Sequence, residues 1–131
     1  MGRGKPRLFW VKLEITMILT IREKVTLEQL RQMLEEHGKI DYVKFAVDVE
    51  QGILAGGGEW HSDCEEVLLE QGSEQRNVWG AGWTWKKREV AYDSQINIRP
   101  RADNRSNLIE DESLRERVKS IILQFFDGVE P

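Results

Sequence analysis

Val43-Lys44-Phe45-Ala46-Val47-Asp48-Val49-Glu50-Gln51-Gly52-Ile53-Leu54-Ala55 is the stretch whose reading decides the fold class. Val43, Phe45, Val47 and Val49 recur at every second position, the period of a strand with one buried face. Gln51-Gly52 offers a tight turn, and Ile53-Leu54-Ala55 supplies a second apolar arm, so the stretch reads as a β-hairpin. Gly56-Gly57-Gly58 follows. Successive glycines weaken a strand and are used where backbone bends or closely approaches another group.

Towards the N-terminus, Leu13, Ile15, Met17, Leu19 and Ile21 alternate in the same way and predict a first strand. Thr26-Leu27-Glu28-Gln29 is a capping-box start, Leu27, Leu30, Met33 and Leu34 form a helical stripe, and Gly38 supplies the stop. His37 falls at that helix's C-terminus, where it would favour the dipole.

Towards the C-terminus, Asp63-Cys64-Glu65-Glu66 repeats the capping-box logic and predicts a short helix at about residues 64–71, with Asp63 as its cap. Trp79, Ala81, Trp83 and Trp85 share one face of a strand from Val78 to Trp85, with Val78, Gly80, Gly82 and Thr84 opposite. Lys86-Lys87-Arg88 is a solvated turn. Val90, Tyr92, Ser94, Ile96 and Ile98 line one side of another strand, which Pro100 ends, and residues 101–107 form a polar loop. Asp111 caps a last helix whose stripe is Leu114, Val118, Ile121, Ile122 and Phe125, closed by Asp127-Gly128. The expectation is an α+β domain: a mainly antiparallel sheet of about five strands, packed by two longer helices and one short helix. Residues 17–131 form this single domain, and residues 1–16 are a basic N-terminal extension.

Composition narrows the function classes. The chain has 131 residues, 40% hydrophobic and 32% charged, the size and balance of one globular domain. Its longest charge-free run, Asn77 to Trp85, is too short to cross a bilayer as a helix. One cysteine excludes an intramolecular disulfide and any cysteine cluster for zinc or iron–sulfur, which points to a reducing, cytoplasmic setting. The apolar run Leu8 to Val11 is too short for a signal-peptide core.

The net charge of −4 is unevenly spread. Phe45 to Gln75 carries eight acidic residues and no Lys or Arg, whereas Arg76 to Arg105 carries seven basic residues against Glu89, Asp93 and Asp103. The two blocks either pair or stay solvated in the fold, meet across a homo-oligomer contact, or build a site that holds a cation beside an anion.

Two residue sets carry candidate chemistry. Glu59, His61 and Asp63 are spaced by two and would leave one face of an extended segment. Two carboxylates flanking an imidazole can ligate a divalent cation or perform acid–base catalysis. Against this, Asp63 already serves as a helix cap. Asn97, Arg99, Asn104 and Arg105 form the second set, because guanidinium groups bind phosphate or carboxylate bidentately. The same arginines could instead neutralise Glu59 or the acidic start of the second helix. The Trp79, Trp83 and Trp85 stripe suits core or interface. Beside Lys86, Lys87 and Arg88 it also suits a stacking surface for nucleic acid, which the acidic balance and the lack of a nucleic-acid motif disfavour. Cys64 falls on the apolar stripe of the second helix and reads as packing.

Gly57-Gly58-Glu59-Trp60-His61-Ser62-Asp63, Ile96-Asn97-Ile98-Arg99-Pro100 and Asn104-Arg105-Ser106, with Val47-Asp48-Val49-Glu50, Leu68 to Ser73 and Val78-Trp79-Gly80, together resemble a small prokaryotic domain family of unknown function. The resemblance runs from Met17 to the end of the chain. It implies one compact domain and no particular activity or cofactor, and its pattern has Asn where Gly82 stands. Three readings follow. In the first, a polar pocket binds or transforms a small anionic ligand, with His61, Glu59 and Asp63 catalytic or metal-ligating and Asn97, Arg99, Asn104 and Arg105 holding the anion. The second is an interaction or oligomerisation module built on the Trp strand. The third is a nucleic-acid-linked regulatory or toxin-related role.

Overall fold

The computed structural model describes residues 18–35 and 41–130. The extension at residues 1–16, the early part of the expected first strand (Leu13, Ile15, Met17), His37 and the stop at Gly38 lie outside the described residues. Five strands, β1 (Leu19–Ile21), β2 (Val43–Asp48), β3 (Ile53–Gly56), β4 (Val78–Thr84) and β5 (Glu89–Ala91), form one sheet in the order β1-β3-β2-β4-β5. Every neighbouring pair is antiparallel. Among the described residues, three α-helices accompany them: α1 (Leu27–Glu35), α2 (His61–Glu70) and α3 (Glu112–Phe126). The fold is α+β, as the patterning predicts.

The β2–β3 hairpin is held by its own sequence. Asp48 is buried, and its carboxylate accepts from the backbone N–H groups of Glu50 and Gln51, both at 2.9 Å. Gln51 Nε2 and Ser73 Oγ complete its partners at 3.0 and 2.6 Å. Gly52 takes φ +71, a conformation that glycine adopts without penalty. The loop therefore spans four residues between Asp48 and Ile53, longer than the two-residue turn that Gln51-Gly52 suggests.

The capping box of α1 is reciprocal. Gln29 N–H donates to Thr26 Oγ1 at 3.0 Å, and Thr26 N–H donates to Gln29 Oε1 at 2.9 Å. Asp111 Oδ1 accepts from Ser113 N–H at 2.9 Å and opens α3. On the sheet face covered by α1 and α3, Phe45, Val47, Leu54, Trp79, Trp83, Ile122 and Phe125 join one core. Each large side chain fully buried there contributes about 1.5–3 kcal/mol. Trp79, Trp83 and Trp85 are 6%, 1% and 8% exposed. The Trp stripe is thus spent on the core and offers no flat contact face, which corrects the interaction reading built on it. The opposite face carries a smaller cluster of Ala46, Ile53, Ala55, Cys64, Leu68 and Val78 beneath α2.

The topology explains why the helices divide between the faces. β1 and β2 run parallel with β3 between them, joined through α1. β3 and β4 run parallel with β2 between them, joined through α2. Both connections step the same way across the sheet, but their strands point in opposite directions. Crossovers of one common hand must therefore place α1 and α2 on opposite faces, as found.

One strand is much shorter than its alternation predicts. β5 stops at Ala91, after which Gln95–Asn97 and Pro100–Ala102 form single 3-10 turns. Ser94 Oγ accepts from Ile96 N–H at 3.2 Å, a local side-chain bond that competes with strand pairing. Asn97 is then drawn onto β4, where its Oδ1 accepts from Gly80 N–H at 2.8 Å and its Nδ2 donates to Gly80 O at 3.0 Å. This approach requires Gly80, because a Cβ there would overlap Ser94 and come within 3.1 Å of Ile96 Cγ1.

Candidate functional site

The second helix begins earlier than its acidic motif suggests. Trp60 is extended (φ −119, ψ 145), and its carbonyl accepts from the N–H groups of Asp63 and Cys64 at 3.2 and 3.4 Å. No side chain caps the helix, and the ten-residue α2 starts at His61. Asp63 lies inside the first turn, where its charge complements the helix dipole. The shared face expected for Glu59, His61 and Asp63 needed an extended chain; residues two apart on a helix point to nearly opposite sides. Among the described residues, no group of three or more His, Cys, Asp or Glu side chains is placed to hold a metal ion.

His61 instead lines a cavity of about 640 Å³ on the α2 face, with Tyr42, Lys44, Trp60, Asp93 and the segment Ser94–Ile96. His61 Nε2 lies 3.0 Å from the Ala81 carbonyl, so that nitrogen carries the proton and Nδ1 is left as an acceptor. Burial pushes the imidazole pKa below its usual value, and the Lys44 charge adds to this against the opposing pull of the Ala81 carbonyl and Asp93. Lys44 Nζ donates to Glu59 O at 2.9 Å and stands 5.4 Å from the Trp60 ring centroid. Burial, aided by the Asp93 carboxylate, pushes the Tyr42 phenol up to about 12 and keeps it a neutral donor. Gly82 makes room for Tyr42, since a Cβ at that position would overlap the phenol ring.

The second residue set is placed differently. Asn97 is fully buried and bonds Gly80, Tyr92 O and Asn107 O. Asn104, 3% exposed, donates to the carbonyls of Asn97, Ser106 and Leu108 and accepts from Glu110 N–H at 2.8 Å. These amides stitch the irregular segment together. Arg99 donates to Ile96 O and Gln75 O, both at 2.9 Å, and to Val78 O. It stacks 4.4 Å from the Trp79 ring centroid and pairs with Glu65 of α2 at 3.6 Å. It lines a neighbouring cleft of about 750 Å³ with Glu65, Arg76 and Arg101. Gln95 and Ile96 border both cavities, so His61 and Arg99 stand on either side of one 3-10 turn rather than facing a common space. Arg105 is exposed beside Asp103 at 3.7 Å and lines neither. Cys64 is buried against Gly58, and burial pushes its thiol up to about 12, far from a nucleophile's range.

The family described as "Protein of unknown function (DUF5674)" matches residues 19–125, from β1 into the last turn of α3. The chain belongs to this family. No curated protein and no solved structure matches it. The matched span of this DUF5674 member contains both cavities and the five strands described above. No helix among the described residues is long and apolar enough to cross a membrane.

Sequence reasoning singled out His61 but missed Tyr42, Lys44, Asp93 and Ser94. One signal was available. Gly80 and Gly82 alternate with the tryptophans, so the middle of one face of β4 has no side chains and something can approach it closely.

The His61 environment gives a pH prediction with a definite sign. The unfolded imidazole titrates near 6.5 and the folded one lower, so below neutrality the unfolded chain binds more protons. Wild type should lose stability relative to His61→Gln as pH falls from 7 to 5, because glutamine keeps an N–H donor for Ala81 O and does not titrate. Urea midpoints of both proteins across that range measure it; parallel pH profiles would contradict the placement.

Proposed function

We propose that the domain binds a small anionic ligand in the Tyr42–Lys44–His61 cavity. One observation carries the reading. Lys44 is the sole Lys or Arg lining this cavity among the described residues, and its ammonium is oriented by the Glu59 carbonyl beside two neutral hydrogen-bonding groups, His61 and Tyr42. A cavity of this size, mostly pre-formed and with a few convergent polar groups, is the usual form of a small-ligand site. The first turn of α2 adds positive potential at the same mouth, through His61 and Ser62. A cytoplasmic setting goes with this reading, since Cys64 is a free, buried thiol. Asp93 adds an acceptor, so the ligand carries hydrogen-bond donors as well as its anionic group.

A catalytic reading rests on one further feature. A neutral His61, its pKa lowered by burial and its Nδ1 lone pair not engaged by Ala81, is a group that can act as a general base.

Binding is tested with inorganic phosphate by thermal melting and calorimetry. Wild type should gain roughly 2.7 kcal/mol at a hundredfold excess over Kd. Lys44→Met should abolish the gain, and Arg105→Ala should retain it. A wild-type melt unmoved by phosphate, or a gain unchanged in Lys44→Met, overturns the assignment.

A further inference from the structure

Trp60 is 59% exposed, the most exposed of the large hydrophobic side chains among the described residues, although the tryptophans of β4 are buried. It caps α2 through its backbone alone, so the fold makes no use of the indole as a capping group. The indole stands at the mouth of the cavity just described, with the Lys44 ammonium 5.4 Å from its ring centroid. An aromatic group stacked on Trp60 and an anionic group at Lys44 would therefore be close neighbours.

The lining of the same cavity also includes Asp93, Gln95 and Asn107. Asn107 joins the internal hydrogen bonds through its main-chain carbonyl, which accepts from Ser94 N–H at 2.8 Å and from Asn97 Nδ2 at 3.2 Å. Its side-chain amide takes no partner among the described residues, and the exposed Gln95 amide and Asp93 carboxylate are likewise open. One carboxylate and two amides form a mixed set of acceptors and donors, the kind that reads the edge of a nucleobase. A ring-stacking surface, a cation a few ångströms away and an edge-reading wall together describe a ligand with a planar heteroaromatic ring and a phosphate.

We propose that the ligand of this cavity is a nucleoside monophosphate, its base stacked on Trp60 and its phosphate at Lys44. This rests on the anion-binding reading above and adds the substrate class. Base stacking on an aromatic side chain is strong enough to raise affinity roughly tenfold or more over the phosphate alone.

Calorimetry with the full chain tests it, using AMP, GMP, CMP and UMP against inorganic phosphate and ribose 5-phosphate. At least one nucleotide should bind wild type roughly tenfold or more tighter than either base-free probe. Trp60→Ala should lower that affinity to the ribose 5-phosphate level, and Trp60→Phe should keep most of the gain. The exposed indole makes both variants safe for folding. Phosphate binding with no added gain from any base, or nucleotide affinity unchanged in Trp60→Ala, overturns the nucleotide assignment and leaves anion binding standing. Failure of every probe, phosphate included, overturns both.

Discussion

Asn97→Ala is expected to lower the unfolding free energy by about 3 kcal/mol or more, although no hydrophobic contact is removed. The Asn97 side chain is fully buried and satisfies Gly80 N–H, Gly80 O, Tyr92 O and Asn107 O. Alanine would leave Gly80 N–H and Gly80 O without this partner, while Tyr92 O and Asn107 O keep the N–H groups of Ile109 and Ser94; each stranded buried group costs about 1–3 kcal/mol. The loss also loosens the Gln95–Asn97 turn that separates the two cavities, so ligand binding should weaken together with stability. Urea unfolding gives the stability, hydrogen exchange at Gly80 the loosening of the turn, and a phosphate titration the binding. A change below about 1 kcal/mol would mean that water replaces the amide and that the site's inner wall is not set by this residue.

Phe125→Ala should cost about 3–5 kcal/mol, the range for removing a well-packed aromatic side chain from a core. Phe125 is 1% exposed on α3 and packs in the cluster that contains Trp79, Trp83 and Ile122. Its carbonyl also accepts from Val25 N–H at 3.0 Å, which ties the segment before α1 to the end of α3. That backbone bond survives the substitution, so the loss reports packing. Ligand affinity should stay near wild type, because the cavity lies on the opposite face of the sheet. Denaturant midpoints and phosphate titrations of the same variant separate the two effects.

The two predictions differ in how visible their residues are in the sequence. Phe125 belongs to a stripe with helical period behind a side-chain cap, and both signals are local. The β2–β3 hairpin and the Thr26–Gln29 capping box were legible for the same reason. Asn97 was flagged as a ligand group because an amide next to Arg99 suits an anion. What it bonds is a glycine seventeen positions earlier, and no local pattern encodes that. The same long-range contact ends β5 early, so the alternation from Val90 to Ile98 overstated the strand. The start of α2 was misplaced because Trp60 ends the extended segment through backbone geometry, whereas Asp63 looked like the cap. His61 was therefore found for a reason that the helix removes. Lys44 looked like an ordinary solvent-side residue of β2. Its meeting with Trp60 depends on where the α2 crossover lands, which strand periodicity does not report.

The position of β2 at the centre of the sheet has a consequence for synthesis. Its hairpin partner β3 emerges from the ribosome almost at once, but its other edge waits for β4, with pairs running from Asp48–Val78 to Val43–Trp83. Until that segment is released, a strand rich in valine and phenylalanine presents open backbone donors and acceptors on one side, the kind of edge that recruits foreign strands. Lys44 stands on that same strand, and a charge on an unpaired edge discourages such pairing. A residue proposed for ligand binding in the finished domain would thereby also disfavour strand recruitment by the nascent chain.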